Sequence, residues 1–176
     1  MDLEHKFCQL GQEVTVTDGT TIEGYASLFG RKDQGGDRVE PGAYDASLSL
    51  GRSIKMLWQH DPAQPIGVWD EVRADDKGLW VKGRILTDVA KGKEAAALIA
   101  AGAIDGLSIG YRTVKARKDD KGGRLLSELE LWEVSLVTFP MLPEARVDAK
   151  GDDPDVSALQ ELAAVFEDAR AAMTPR

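Results

Sequence analysis

The sequence predicts an α+β domain, a β-rich core with flanking helices, and three observations carry that reading. Period-two alternation of apolar and polar residues recurs between Glu13 and Val137, punctuated by turns rich in glycine and aspartate. One stretch with a helical period, Val89 to Ala101, interrupts the strands, and a second helical stripe follows the last of them. A chain of 176 residues, 43% of them hydrophobic, is large enough to bury one substantial core. The expected layout is therefore a flexible N-terminus at 1–12, a folded domain at 13–147, and a linker with a helical tail at 148–176.

Each element has a local reason. The first twelve residues are polar and carry no period. Glu13-Val14-Thr15-Val16-Thr17 alternates as a strand does and ends at the turn pair Asp18-Gly19, so a hairpin into Thr21 to Phe29 is expected. Gly30 to Gly42 mixes glycines, charges and a proline and reads as a loop, with Tyr44 to Leu50 a short helix behind it. Ser53 to Trp58 favours strand and stops at Gln59-His60-Asp61-Pro62, because proline disfavours helix at Asp61 and cannot continue a ladder. His60 is thereby placed at a strand end. Ile66 to Val72 and Gly78 to Leu86 alternate around the turn Asp75-Asp76-Lys77-Gly78 and predict a second hairpin.

Thr87-Asp88 can cap the helix that runs from Val89 to Ala101, and Gly102 supplies its C-terminal stop. Ala103 to Thr113 and Leu125 to Thr138 read as a third hairpin across the polar turn Lys118 to Gly123. Pro140 and Pro143 end the strands. Val156, Leu159, Leu162, Phe166 and Met173 then mark an apolar helical stripe behind an Asp153 cap and Pro154, either a packing face or a helix that docks on a partner.

Composition narrows the class of function. A formal charge of −8 opposes nonspecific attraction to nucleic-acid phosphates, and the basic run from Arg112 to Arg117 reads as the wet face of a strand. No nucleic-acid partner is expected. No stretch approaches the roughly 18–20 apolar residues that span a bilayer, and the first residues lack a signal pattern, so neither membrane insertion nor signal-directed secretion is expected. The lone cysteine, Cys8, allows no intramolecular disulfide and no Cys-based zinc cluster. No cofactor or metal is called for.

The chemistry-bearing residues begin with Gly106-Leu107-Ser108-Ile109-Gly110, a Gly-x-Ser-x-Gly pattern in which small flanking residues let backbone crowd an exposed hydroxyl. An α/β-hydrolase elbow would need a strand before the serine, a helix after it, and a later histidine. Here a helix precedes, a strand follows, and the histidines, His5 and His60, both lie upstream. If Ser108 is a nucleophile, its base lies N-terminal to it. His60 is then the well-placed imidazole, since a serine hydroxyl needs a neighbour to take its proton near neutral pH. A third group should orient that imidazole. In period-two alternation Leu129, Leu131, Glu133, Ser135 and Val137 share one face, which sets the Glu133 carboxylate among apolar neighbours where it demands a partner. That partner could be His60, or Arg112 or Arg124.

These residues resemble a family, the tailed-phage prohead (capsid maturation) serine proteases, whose fold is similar to the herpesvirus assemblin proteases. The resemblance runs from about Thr21 to Arg146. It rests on Glu23-Gly24-Tyr25-Ala26; on Leu57-Trp58-Gln59-His60-Asp61 followed by Pro65-Ile66-Gly67; on the helix leading into Gly106 to Tyr111; and on Glu133-Val134-Ser135-Leu136-Val137 followed by Pro140. It implies an assemblin-like, barrel-like core, with residues 13–147 as the protease domain. It implies catalytic roles for His60 and Ser108. The third member is less directly carried over, because the herpesvirus enzymes use a histidine and none follows position 60 here; Glu133 is the choice, with Asp61 and Glu130 behind it.

The function implied is a serine endopeptidase that cleaves scaffold or capsid-protein N-terminal segments during prohead maturation, with self-cleavage a further expectation. The implied partners are a major capsid protein or a scaffolding protein, with self-association left open, and the implied location is the interior of an immature capsid in the host cytoplasm. Backbone N–H groups near Gly110 or in the Gly30 to Gly42 loop are the expected oxyanion donors. The rival reading is a non-catalytic capsid assembly or scaffold-binding protein that docks through its tail helix. A general esterase is disfavoured by chain order.

Overall fold

In the computed structural model, structure is described for residues 4–7, 14–17, 19–33, 35–119, 122–138 and 147–148, and side chains for 19–33, 35–119 and 122–138. The strands are β1 (Glu4–Phe7), β2 (Val14–Thr17), β3 (Thr21–Leu28), β4 (Arg38–Val39), β5 (Lys55–Trp58), β6 (Asp61–Ala74), β7 (Gly78–Ile85), β8 (Gly106–Lys118), β9 (Arg124–Val137) and β10 (Val147–Asp148); the helices are α1 (Asp45–Ser49) and α2 (Ala90–Ala100). All ten strands belong to one sheet, ordered β1-β8-β9-β5-β6-β7-β3-β2-β10, with β4 added beside β9. Contacts between β3 and β8, far apart in that order, show that the sheet curls around its core. The expected β-rich, barrel-like core with flanking helices is therefore what forms, as a strand-rich half-barrel.

Three hairpins arise where alternation and turn residues placed them: β2–β3, β6–β7 and β8–β9 are antiparallel pairs. What alternation could not supply is the joining of distant segments. β5 pairs with β9 in parallel, Lys55 opposite Glu133 and Leu57 opposite Ser135, while β8 sets Ser108 opposite Ser135 on the other side of β9. Ser108, Ser135 and Leu57 thus lie in one row across three neighbouring strands. The core beneath is built from Ile22, Met56, Ile66, Leu79, Val81, Leu107, Ile109, Leu129, Leu131, Val134 and Leu136, all buried. At about 1.5–3 kcal/mol per large apolar side chain, their burial fixes which face of each strand points inward.

The helices pack against the sheet. α2 buries Gly92, Ala95 and Ile99, spaced for one helical face, against β6 and β7. Its N-cap is Val89 without a side-chain cap bond, so the expected Thr87-Asp88 cap does not form; helix start is set by packing of this face. Gly102 does end it, at φ +68°, with its N–H bonded to the Ile99 carbonyl. α1 is pinned to β9 by the Leu131 N–H, which donates to the buried Ser47 hydroxyl at 2.8 Å.

Further differences from the sequence reading have simple causes. β6 begins at Asp61, not near Ile66, and runs through two prolines, because irregular pairing lets Leu57 face Pro65 directly after Trp58 faces Asp61. Residues 4–7, which polarity left without an element, form β1. Asp148, expected as the start of a linker, joins Val147 in β10 beside β2. The predicted tail helix lies outside the described residues. Of the basic run after Tyr111, Arg112 pairs with Glu130, Lys115 with Glu128 and Arg117 with Glu40.

Candidate active site

The turn between β5 and β6 contains two residues, Gln59 and His60, and both hold left-handed backbone, φ 52° and 62°. A two-residue hairpin loop demands that conformation, which asparagine and glycine adopt readily and longer side chains resist by about 1–2 kcal/mol each. Bonds to β9 and the residue after it hold it: the Gln59 N–H donates to the Leu136 carbonyl at 2.9 Å, the Gln59 side-chain amide to the Thr138 hydroxyl at 2.5 Å, the Thr138 N–H to Gln59 Oε1 at 3.4 Å, and the His60 N–H to the Ser135 hydroxyl at 3.2 Å. Strained backbone maintained by such over-determination is typical of functional sites. Here it aims one imidazole.

That imidazole lies between β8 and β9 groups. His60 Nδ1 is 2.5 Å from Glu133 Oε1, and His60 Nε2 is 2.7 Å from Ser108 Oγ. With a carboxylate at Nδ1, that nitrogen carries the proton and donates it, which leaves the Nε2 lone pair to accept the Ser108 hydroxyl. Glu133 is 2% exposed and Ser108 has no exposed surface. Burial of a carboxylate is costly without partners, and beside His60 Glu133 has Ser135: its other oxygen, Oε2, accepts the Ser135 hydroxyl at 2.5 Å. An imidazole held in this way can take the hydroxyl proton as the oxygen attacks an acyl carbon, and the carboxylate then faces a cation.

Gly110 has a specific task in this arrangement. It stands opposite Glu133 in the β8–β9 ladder, and a Cβ there would lie 2.0 Å from Glu133 Oε1. The second glycine of Gly-x-Ser-x-Gly is thus the space through which the carboxylate reaches His60. Just beyond, the ladder slips between Gly110 and Tyr111, so that Trp132 is skipped in the pairing with β8, a bulge of the kind that re-aims neighbouring side chains.

The other carboxylates considered are engaged elsewhere. Asp61 accepts from Gln64 and from the Ala63 N–H, and these bonds hold its carboxyl below the usual range. Glu130 binds Arg52 and Arg112; desolvation pushes its carboxyl up, and the two guanidiniums outweigh that and hold it below its ordinary value. Arg124, a possible partner for Glu133, pairs instead with Asp37. The Gly30 to Gly42 loop attaches through β4 to Leu125 and Leu126 of β9, and the Ala43 carbonyl just beyond it accepts from the Leu129 N–H. Sequence reasoning gave Ser135 no role. Its place on the same face as Glu133 was the available signal; the bond to the His60 backbone depends on the turn. Among the described residues no cluster of metal-ligating side chains occurs, and no helix is long and apolar enough to cross a membrane.

Fold and site together describe a curled β-sheet carrying a Ser–His–Glu constellation of the serine-hydrolase type. The chain belongs to the Caudovirus prohead serine protease family, whose model matches residues 10–157. It is 30% identical over 148 residues to the prohead protease of Enterobacteria phage HK97, an alignment that covers 80% of this chain and 64% of that protein. It is 34% identical over 119 residues to the capsid polyprotein of Pseudomonas phage PAJU2, covering 63% of this chain and 17% of the polyprotein. The chain thus spans less than two thirds of either relative. The capsid assembly protease of bacteriophage T4 has a similar fold, with a TM-score of 0.64 at 18% identity over 79% of this chain and 98% of that one.

Proposed function

We propose that the protein is a serine endopeptidase of capsid maturation, with Ser108 the nucleophile, His60 the general base and Glu133 the group that orients and charge-balances His60. The observation that carries this is the unbroken chain of short contacts from the Ser108 hydroxyl through both nitrogens of His60 to a buried carboxylate. In the acylation step the Ser108 oxygen attacks the scissile carbonyl while its proton passes to His60 Nε2; His60 then delivers that proton to the leaving amine. Water repeats the sequence to release the acyl group. The Nδ1 proton stays on His60 throughout, and Glu133 stays ionised. Residues lacking a side-chain role in this chemistry, such as Asp61 and Glu130, serve the turn and the surface.

The family and the names of the relatives, a prohead protease and a capsid polyprotein, support a role in capsid maturation; the substrates on this reading are a scaffolding protein, or the scaffold-like N-terminal segment of a major capsid protein, with self-cleavage as a further reaction. The site of action would be the prohead in the host cell. The test is co-expression with the shell proteins of the same phage. Ser108→Ala and His60→Ala are expected to leave those proteins uncut, with a loss of about 10⁴- to 10⁶-fold in cleavage rate, as for removal of a nucleophile or its base elsewhere. Normal processing of the shell proteins by the Ser108→Ala chain would sink the proposal.

A further inference from the structure

β8 is bonded to β9 on one side, and on its other side it carries β1, in an antiparallel register that sets His5 opposite Gly110, Lys6 opposite Ile109 and Phe7 opposite Ser108. Without β1, the stretch of β8 that bears the nucleophile would be a free edge. Such an edge is where an extended peptide adds as a strand, its main chain bonded in a ladder and its carbonyls presented at fixed intervals. Residues 4–7 therefore fill the place that the geometry offers to a peptide beside Ser108.

A second observation agrees. Ser108 has no exposed surface. A carbonyl about to be attacked must come within about 3–3.5 Å of the hydroxyl, so some element has to move before any peptide reacts. β9, β5 and the His60 turn cannot move without dismantling the site itself. β1 can, because it is four residues long and β8 is its one partner among the described strands; short edge strands open at a small fraction of the global unfolding free energy.

On the protease reading, we propose that residues 4–7 act as an internal stand-in for substrate: a strand that occupies the edge of β8 and that an extended peptide must displace to reach Ser108. The reactive serine would then be unavailable until a peptide able to pair with β8 competes for it. The competition depends on main-chain pairing, so an extended peptide qualifies where a small acyl compound does not.

The test follows the rate at which Ser108 is labelled by an Ala-Ala-Ala peptidyl phosphonate in the full chain. His5→Pro and Lys6→Pro each remove one N–H from β1, and one of the two N–H groups faces β8. At least one variant is expected to label about tenfold faster than the unaltered chain, and excess synthetic peptide with the sequence of residues 2–10 should return it to the slow rate. Equal or slower labelling of both variants, with circular dichroism and unfolding midpoint unchanged, overturns the proposal. If both variants fail to fold, the unaltered chain still decides: backbone amides of residues 4–7 should lose hydrogen-exchange protection once the tripeptide is attached to Ser108, and retained protection overturns it. A small fluorophosphonate separates the two levels of failure. If it labels no form of the chain, the protease reading falls and this proposal with it; if it labels all forms alike while the tripeptide probe gains nothing, the strand proposal alone falls.

Discussion

At Gly110 a missing methyl group decides whether Glu133 can reach His60. A Cβ there would sit 2.0 Å from the carboxylate oxygen, inside any allowed contact. Gly110→Ala is therefore expected to cost about 1–3 kcal/mol of stability through overpacking and to reduce cleavage sharply by displacing Glu133, measured as an unfolding midpoint and a rate on the same preparation. Ser135 is the quieter partner, donating to Glu133 and accepting from the strained His60 backbone. Ser135→Ala leaves a buried acceptor and a buried donor each one bond short. We expect kcat to fall about 10- to 100-fold, as roughly 1–3 kcal/mol of lost orientation would give, with KM little changed and Ser135→Thr partly restoring the rate. A KM effect alone would remove Ser135 from the positioning role. Ser108 and His60 were legible as types of residue in the right order. The reason for the glycine was not, because it lies on another strand.

Among the elements, the β6–β7 turn gathers an unusual number of bonds onto one carboxylate. Asp75 accepts from the Tyr25 hydroxyl of β3, from the Lys77 and Gly78 N–H groups, and from Arg73. Burial alone would raise its pKa, yet these donors outweigh burial and lower it to about 2. The folded value lies below the unfolded one, so the stabilisation is fully present above the unfolded pKa and is lost as pH falls through about 2. The displacement corresponds to at most about 2 kcal/mol. Asp75→Asn should lower the urea midpoint at pH 5, and that difference should shrink as both proteins are titrated toward pH 2; a difference independent of pH would contradict it. This hairpin was readable from its turn residues. The tie from Asp75 to Tyr25 was not, since nothing local marks a residue fifty positions away.

For the molecule as a whole, the pairings that assemble the site join segments far apart in sequence. Lys55 to Trp58 align with Glu133 to Leu136, and β1 aligns with β8. Such pairings require closure of long loops before they are rewarded, so refolding monitored by tryptophan fluorescence should take roughly milliseconds to seconds, with site contacts completed late. Microsecond refolding would contradict this.

The sequence by itself determined the alternation that makes the strands, the turns that make three hairpins, the helix ended by Gly102, and the order of histidine before serine that excludes the hydrolase elbow. These follow from local periodicity and from residue chemistry, which act over a few positions. Only the tertiary structure decided that β5 lies beside β9, that a Gln-His pair without glycine makes a two-residue turn, and that Glu133 faces His60 rather than an arginine. It also decided that residues 4–7 join the edge of β8. Those choices rest on burial of one shared core and on bonds between distant strands, whose free energy exists only once the sheet has closed around that core.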